Sequence, residues 1–488
     1  MKLSDLKHVH IIGVCGTLMG AFAAFLKRSG IQVTGSDQNV YPPMSDVLKQ
    51  AGVTLISGYS ADNLSKLPST PDLVVVGNVI SPSNPEIQAV IAAKIRYTSL
   101  PEAMENLMLP NTRNLVVSGT HGKTTTSSLL AFTLVQCGKN PNYFIGGVSS
   151  DLPHSFQAAN LEKGNVFVLE GDEYDTAYWD KVPKFNHYLP DDVVLTSVEY
   201  DHADIYPTMG HVLKAFEGLL DRIRPGGRLI ACLDFAEIKG LLPRAKVPVT
   251  TYGAKKETGA RYVPGKIWTE NKSGVAFNCF EICDQDAGGK VVANLSIQLP
   301  GLHNVLNAIA VWLVCKGLGI SDQAIADGMG KFRGVKRRQE ERGEVKGVLV
   351  IDDFAHHPTA VRETLKALKT KYPGRRMISV FEPRSATSRR KVFQKDYADA
   401  FFEANEVFIA KPYDQTKINE ADQFSSDQLV DDIAKKGVPA HLMETVEGGV
   451  VQVAKACRKG DVVAVLSNGG FGGFIPKLLD ELKNGGAS

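Results

Sequence analysis

A lysine and a run of hydroxyls set behind a glycine turn suit phosphate binding. Residues 116–130 have that pattern: Val116-Val-Ser-Gly119-Thr120-His121-Gly122-Lys123-Thr124-Thr125-Thr126-Ser-Ser-Leu-Leu. An apolar strand runs into two glycines, then Lys, then threonines, then a helix. Glycines let backbone N–H groups close on phosphate oxygens, and the helix N-terminus adds partial positive charge. Lys123 would meet the β- and γ-phosphates of a nucleotide and Thr124 would ligate Mg²⁺. The loop is shorter than the usual G-x-x-x-x-G-K-[ST], because Val stands at position 117. A glycine-rich turn that only caps a helix is the alternative, but the order of parts is the one phosphate binding requires.

Other polar groups also sit just past apolar runs. Glu170-Gly-Asp-Glu173-Tyr-Asp175 follows Val166–Leu169; a carboxylate there can hold Mg²⁺ or simply be a solvated strand end. Ser197-Val-Glu199-Tyr-Asp-His202 follows Val193–Leu195, and a lone His such as His202 is usually a hydrogen-bonded core residue. Asn304 and Asn307 open a helix; Asn pairs with both edges of a base or caps the helix. Arg338 ends the basic run Lys336-Arg-Arg338, and Asp353 lies in Ile351-Asp-Asp353-Phe-Ala-His356-His357-Pro358. Guanidinium suits developing phosphoryl charge, although a solvated linker reads the same way. Gly13-Val-Cys-Gly16-Thr17-Leu-Met-Gly20 is not G-x-G-x-x-G, yet it puts a glycine turn between strand and helix, where a diphosphate binds. Asp37 ends the next strand, where a ribose hydroxyl is commonly held. An NAD site is the alternative reading.

The elements that must position these groups alternate strand and helix. Val9–Ile12, Gln32–Thr34 and Asp72–Gly77 mark a first parallel sheet with helices between. A second unit runs from Leu115–Ser118 through Arg228–Ala231, and short strands with glycine-rich turns between Lys246 and Leu299 read as a β-rich insertion. A helix follows over 305–318. A third unit restarts at Val348–Ile351 and continues through Met377–Val380, Glu406–Ile409 and Asp461–Leu466. The expectation is therefore α/β with three domains: Rossmann-like at 1–110, a central P-loop ATPase unit with its β-rich insertion at 111–338, and Rossmann-like again at 339–488.

With 488 residues, three domains is the natural count. Hydrophobic residues make up 43% and the net charge is +2, which argues against nucleic acid or a membrane surface as partner. The N-terminus runs almost directly into a strand without a signal-peptide core, so a cytoplasmic location is expected. Seven cysteines form no C-x-x-C pair. Cys279 and Cys283 would share a strand face, and buried free thiols are the expected state.

Gly119-Thr-His-Gly-Lys-Thr-Thr resembles the ATP loop of the muramyl ligases, which build the peptide of bacterial cell-wall precursors, and the resemblance extends in order from Gly13 to Gly473. It implies ATP and Mg²⁺ as cofactors, with Gly119, Thr120, His121, Gly122, Lys123, Thr124, Thr125, Asn304, Asn307 and Asp353 at ATP. It implies Thr124, Glu170 and His202 at the metal, and Arg338 reaching the phosphates alongside Lys123. It implies a UDP-sugar at Gly16, Thr17 and Asp37. Several relatives carry a carbamylated Lys in the helix after His202; here Glu217 is expected to supply that charge, with Lys214 one turn away. Within the family, five segments favour the branch that joins UDP-N-acetylmuramate to the murein tripeptide L-alanyl-γ-D-glutamyl-meso-diaminopimelate, with L-alanine addition as the alternative. They are Cys15–Gly20, Gly35–Ser45, Tyr178–Tyr188, Glu382-Pro-Arg384-Ser and Ser467–Gly473. The acceptor would meet Ser467, Asn468, Gly469 and Arg384, although Arg384 reads equally as a surface charge. Such a site completes only when domains close.

Overall fold

The computed structural model describes residues 2–40 and 44–485, so Tyr41, Pro42 and Pro43 of the Gly35–Ser45 segment lie outside the described residues. Three sheets organise the described residues. The first contains β1 (His8–Ile12), β2 (Gln32–Asp37), β3 (Thr54–Ser57), β4 (Leu73–Val76) and β5 (Tyr97–Ser99), all parallel, in the order β3-β2-β1-β4-β5. Every residue of β1 and β4 is buried, which is why these strands read as unbroken apolar runs: a parallel sheet is covered on both faces. His10 is tolerated in β1 because both ring nitrogens are satisfied, by Thr34 Oγ1 at 2.8 Å and Glu86 Oε1 at 2.8 Å.

The central sheet contains β6 (Arg113–Ser118), β7 (Asn142–Phe144), β8 (Phe156–Gln157), β9 (Val166–Gly171), β10 (Asp192–Leu195), β11 (Arg228–Cys232), β12 (Val249–Tyr252), β13 (Tyr262–Lys272), β14 (Val275–Asp284) and β15 (Lys290–Ile297). Its order, β15-β14-β13-β12-β11-β10-β6-β9-β7-β8, places β6 between β10 and β9. The chain leaves β6 to build one side of the sheet and later returns to its other side, so β6 ends at a topological switch point, where open α/β sheets bind ligands.

The segment read as short strands between Lys246 and Leu299 departs from expectation. β13, β14 and β15 are 11, 10 and 8 residues long and pair antiparallel, and β13 joins β12 at Tyr262–Tyr252. They extend the edge of the central sheet. Ser273-Gly274 and Gly288-Gly289 have positive φ and reverse the chain tightly, so these glycines mark hairpin turns between long strands. Cys279 and Cys283 are buried free thiols there, as are Cys232, Cys315 and Cys457.

The third sheet contains β16 (Glu340–Val345), β17 (Val348–Asp353), β18 (Met377–Phe381), β19 (Glu406–Ala410), β20 (Ala440–Met443) and β21 (Val462–Leu466), in the order β16-β17-β21-β18-β19-β20. Apart from the β16–β17 hairpin it is parallel. The first two sheets share one contiguous apolar core, whereas the third has its own cores on its two faces. The join to it passes through Arg337 and Gln339, both at positive φ, a strained conformation for non-glycine residues. No described helix is long and apolar enough to cross a membrane.

The first and second units are also tied by polar contacts. His187 bonds Glu105 Oε2 at 2.5 Å through Nδ1 and Asp180 Oδ2 at 2.7 Å through Nε2, and Tyr97 packs edge-on against Trp179. Burial disfavours the charged imidazole, but the two carboxylates outweigh it and raise the His187 pKa. A raised folded-state pKa contributes stability that is full below the ordinary imidazole value of about 6.5 and is lost as pH rises through the folded value. Melting temperature is therefore expected to fall across that window in the wild type and to depend less on pH in His187→Gln. Parallel profiles would show that this tie does not titrate.

Candidate active site

Most sequence-derived candidates lie at or just past the carboxyl end of a strand, whereas Asn304, Asn307 and Glu217 lie on helices and Arg338 in the join between the second and third units. One cavity of about 1550 Å³ collects many of them: Gly16 and Thr17 after β1, the loop after β6, Glu170 in β9, His202 after β10, Arg338, Asp353 in β17 and Asn468 after β21. Ordinary small-molecule pockets are roughly 300–1,000 Å³, so this one has room for more than one substrate.

The loop after β6 leans on the end of β10. A Cβ at Gly119, whose φ is +135°, would stand 2.3 Å from Thr196 Oγ1 and 2.7 Å from Ser197 O. A Cβ at Gly122, whose φ is +81°, would stand 2.8 Å from Asn307 Oδ1. The helix Lys123–Gln136 then begins with no side-chain cap at Gly122, so its N-terminal N–H groups face the cavity mouth without a side-chain acceptor. The Lys123 ammonium is folded over the loop: it donates to Gly119 O at 2.6 Å and to Thr120 O at 3.3 Å, and pairs with Glu173 Oε2 at 2.9 Å. Burial works against that charge, but Glu173, Asp172 and Glu170 outweigh it and raise its pKa.

Thr124 Oγ1 donates to Glu170 Oε1 at 2.5 Å, and Gly146 N–H donates to Glu170 Oε2 at 2.6 Å. Burial, then Asp172, pushes the Glu170 carboxyl up. A hydroxyl and a carboxylate this close are the oxygen donors a hard divalent ion takes, and a cation there would relieve the crowding of Glu170 against Asp172. His202 lines the same cavity and faces Glu173. Its Nε2 is 3.4 Å from Glu173 Oε1, at φ +52°. Burial opposes its charge, yet Glu173 lifts its pKa to about 9 while Glu173 itself falls to about 2, burial notwithstanding, through Lys123 and His202. His202 here pairs with the carboxylate beside Lys123.

Asn307 Nδ2 donates to Asn304 Oδ1 at 3.2 Å, and Asn304 Nδ2 donates to Pro300 O at 2.8 Å. Both line the cavity at the start of the helix Leu302–Gly317. Asp353 accepts from Gln339 N–H at 2.8 Å and from Ala355 N–H at 2.8 Å. It thereby pins the strained join and aims Arg338 into the cavity, with the Arg338 guanidinium over the Phe354 ring at 4.9 Å.

Four expectations need correcting. Asp37 does not line the cavity: its carboxylate accepts from Cys15 N–H and Asn39 N–H, each at 2.9 Å, and so shapes the turn that presents Gly16 and Thr17. Arg384 is turned away, over the Tyr413 ring at 3.9 Å, ion-paired with Glu382 and packed on Gly469. Ser467 Oγ is engaged by Glu382 Oε2 at 2.5 Å, and Arg337 Nη2 donates to Ser467 O and Gly469 O, so within that loop Asn468 is the residue that reaches the cavity. Glu217 and Lys214 lie on the helix Met209–Asp221, which seats Val212, Phe216, Leu219 and Leu220 in the core and gives nothing to the cavity wall. Glu217 therefore does not replace a carbamate.

Residues that sequence reasoning did not single out complete the floor. Lys184 is buried with Nζ 3.4 Å from Asp172 Oδ2 and 4.0 Å from the Tyr174 ring centre. Burial lowers its pKa despite that carboxylate. The signal for it was the Tyr178–Tyr188 segment, whose function could not be divided among its residues without the fold.

Fold and site together define a three-domain nucleotide-dependent ligase, and the chain belongs to the Mur ligase family. The Mur ligase family catalytic domain matches residues 8–112, the middle domain 117–315 and the glutamate ligase domain 337–469. The chain is 38% identical to the UDP-N-acetylmuramate–L-alanyl-γ-D-glutamyl-meso-2,6-diaminoheptandioate ligase of Escherichia coli K12, covering 97% of this chain and 98% of that one. It is 33% identical to the UDP-N-acetylmuramate–L-alanine ligase of Chlorobium phaeobacteroides over 85% of this chain and 84% of that one. Among solved structures it resembles a murein peptide ligase from Psychrobacter arcticus, with TM-score 0.70 and 30% identity over 98% and 99% of the two chains.

Gly119→Ala would force a side chain against Thr196 and Ser197 at a φ that L-residues avoid. It is expected to cost about 1–3 kcal/mol, read as a lowered urea midpoint; an unchanged midpoint would show that the loop does not depend on this close approach.

Proposed function

We propose that this chain joins UDP-N-acetylmuramate to L-alanyl-γ-D-glutamyl-meso-diaminopimelate at the expense of ATP. The observation that carries the reading is the single cavity to which strand ends of all three sheets contribute, with Lys123, Thr124 and Glu170 at its centre. ATP would lie with its phosphates in the Gly119–Thr125 loop and its base near Asn304 and Asn307. The UDP-sugar would enter over Gly16 and Thr17, and the peptide beside Asn468.

Thr124 and Glu170 would hold Mg²⁺. That ion, when bound, supplies charge neutralisation for the phosphate oxygens. Lys123 lies over the loop and must swing from Glu173 toward the phosphates, while His202 keeps Glu173 ionised and in place. Arg338 brings a second permanent charge from the join between domains. Phosphoryl transfer needs positioning and charge stabilisation more than covalent help from the protein. The lactyl carboxylate attacks the γ-phosphorus and ADP leaves. The neutral alanine amine then attacks the activated carbonyl, phosphate leaves with one former carboxylate oxygen, and the amine gives up a proton. ATP and the UDP-sugar place the reaction in the cytoplasm.

Tripeptide is favoured over L-alanine by the higher identity and wider coverage of the tripeptide-adding relative. Purified protein given UDP-N-acetylmuramate and ATP·Mg²⁺ should release ADP rapidly with the tripeptide and at least about tenfold more slowly with L-alanine; the reverse preference would transfer the assignment to L-alanine addition. Lys123→Ala should lower kcat/KM by at least about 10³ with an unchanged circular dichroism spectrum. Near-wild-type turnover would remove Lys123 from the reaction.

A further inference from the structure

The floor of the cavity carries two hydrogen-bond donors that the phosphate chemistry leaves unused. Lys184 opens the 3₁₀ turn Lys184–His187 and is 8% exposed. An ammonium has three N–H groups. Among the described residues Asp172 Oδ2, at 3.4 Å, is its one acceptor, and the Tyr174 ring covers another side. Burial lowers its pKa although Asp172 opposes the shift, so that single carboxylate does not offset the cost of burying the charge. Tyr188 follows the turn. It is fully buried, and its hydroxyl has no hydrogen-bond partner among the described residues. Burial, then Asp172 and Glu170, raise its pKa well above that of a free phenol, so it keeps a proton to donate near those carboxylates. Both residues border the cavity.

The turn is firmly held. Lys184 N–H donates to Tyr174 O at 3.2 Å, Phe185 is buried beside the Phe216 ring, and His187 is fixed to Glu105 and Asp180. Glu105 belongs to the helix Leu100–Leu107 of the first unit, and Leu100 at its start also borders the cavity. Lys184 and Tyr188 therefore stand where the first unit meets the end of β9, the strand that carries Glu170.

A buried donor without an acceptor costs free energy until an acceptor reaches it. Two donors, one of them charged, suit a carboxylate. In the proposed reaction the triphosphate belongs to the Gly119–Thr125 loop, the UDP diphosphate to the turn at Gly16 and Thr17, and the peptide to the third unit beside Asn468. The anion left for the junction of the first unit with β9 is the carboxylate borne by the sugar.

We propose that Lys184 and Tyr188 form the subsite for the lactyl carboxylate of UDP-N-acetylmuramate and hold it facing the Thr124–Glu170 pair. The inference rests on the ligase reading and adds selectivity to it. UDP-N-acetylglucosamine lacks the lactyl group and offers these donors nothing.

Calorimetric titration of the full chain with each UDP-sugar, without ATP, tests the subsite apart from turnover. The wild type should bind UDP-N-acetylmuramate at least about tenfold more tightly than UDP-N-acetylglucosamine. Tyr188→Phe removes only the unpartnered hydroxyl, so its melting temperature should not fall, while UDP-N-acetylmuramate should bind at least about threefold more weakly. Lys184→Gln should weaken that binding at least about tenfold. Neither variant should change the affinity for UDP-N-acetylglucosamine by more than about twofold. Equal weakening of both sugars, or undiminished UDP-N-acetylmuramate affinity in either folded variant, would overturn the subsite and leave the ligase reading standing. Failure of the wild type to bind either sugar would overturn the ligase reading, and the subsite with it.

Discussion

A buried ammonium has to be compensated, and the centre of this protein is arranged around that of Lys123. Burial alone would lower its pKa; Glu173, Asp172 and Glu170 outweigh that and raise it. His202 in turn keeps Glu173 ionised. The cluster is a matched set of opposite charges in which removal of one member strands the others. An anionic ligand can compete for Lys123, and a cation can satisfy Glu170 and Asp172. Nucleotide and metal, bound as proposed, would thus replace interactions that the protein already makes and keep the charges balanced.

The backbone makes that cluster possible. Parallel strands bring their carboxyl ends to one edge, and three sheets turn those edges toward one cavity. The first two share a core, so the proposed UDP-sugar side is built onto the proposed ATP side. The third has its own cores and joins through Arg337–Gln339, where two non-glycine residues at positive φ flank Arg338. Strain at that point marks the place where rotation of the third unit would carry Arg338 and Asn468 toward or away from the phosphates.

Much of this could be read from the chain alone. The apolar runs of β1, β6, β9, β10, β17 and β21 are each buried on both faces, so they announced themselves without alternation, and the glycine–lysine loop followed one of them. What failed was orientation. Asp37, Arg384 and Glu217 occupy plausible positions along the chain, but a backbone turn, an aromatic ring and a helix face respectively direct them elsewhere. His202 was placed in the cavity but not on the carboxylate it serves. Lys184 was hidden because its role arises from Asp172 and Tyr174, which approach only after the sheet forms. The long β13–β15 meander was misread because glycines that end hairpins look like glycines that break strands.

The central claim is that the Lys123 cluster hands a γ-phosphoryl group to a sugar-borne carboxylate. Turnover with UDP-N-acetylmuramate carrying ¹⁸O in its lactyl carboxylate tests it most directly. The account predicts one ¹⁸O atom in each phosphate released, because the carboxylate oxygen that attacks phosphorus leaves with it. Unlabelled phosphate accompanying amide formation would contradict it.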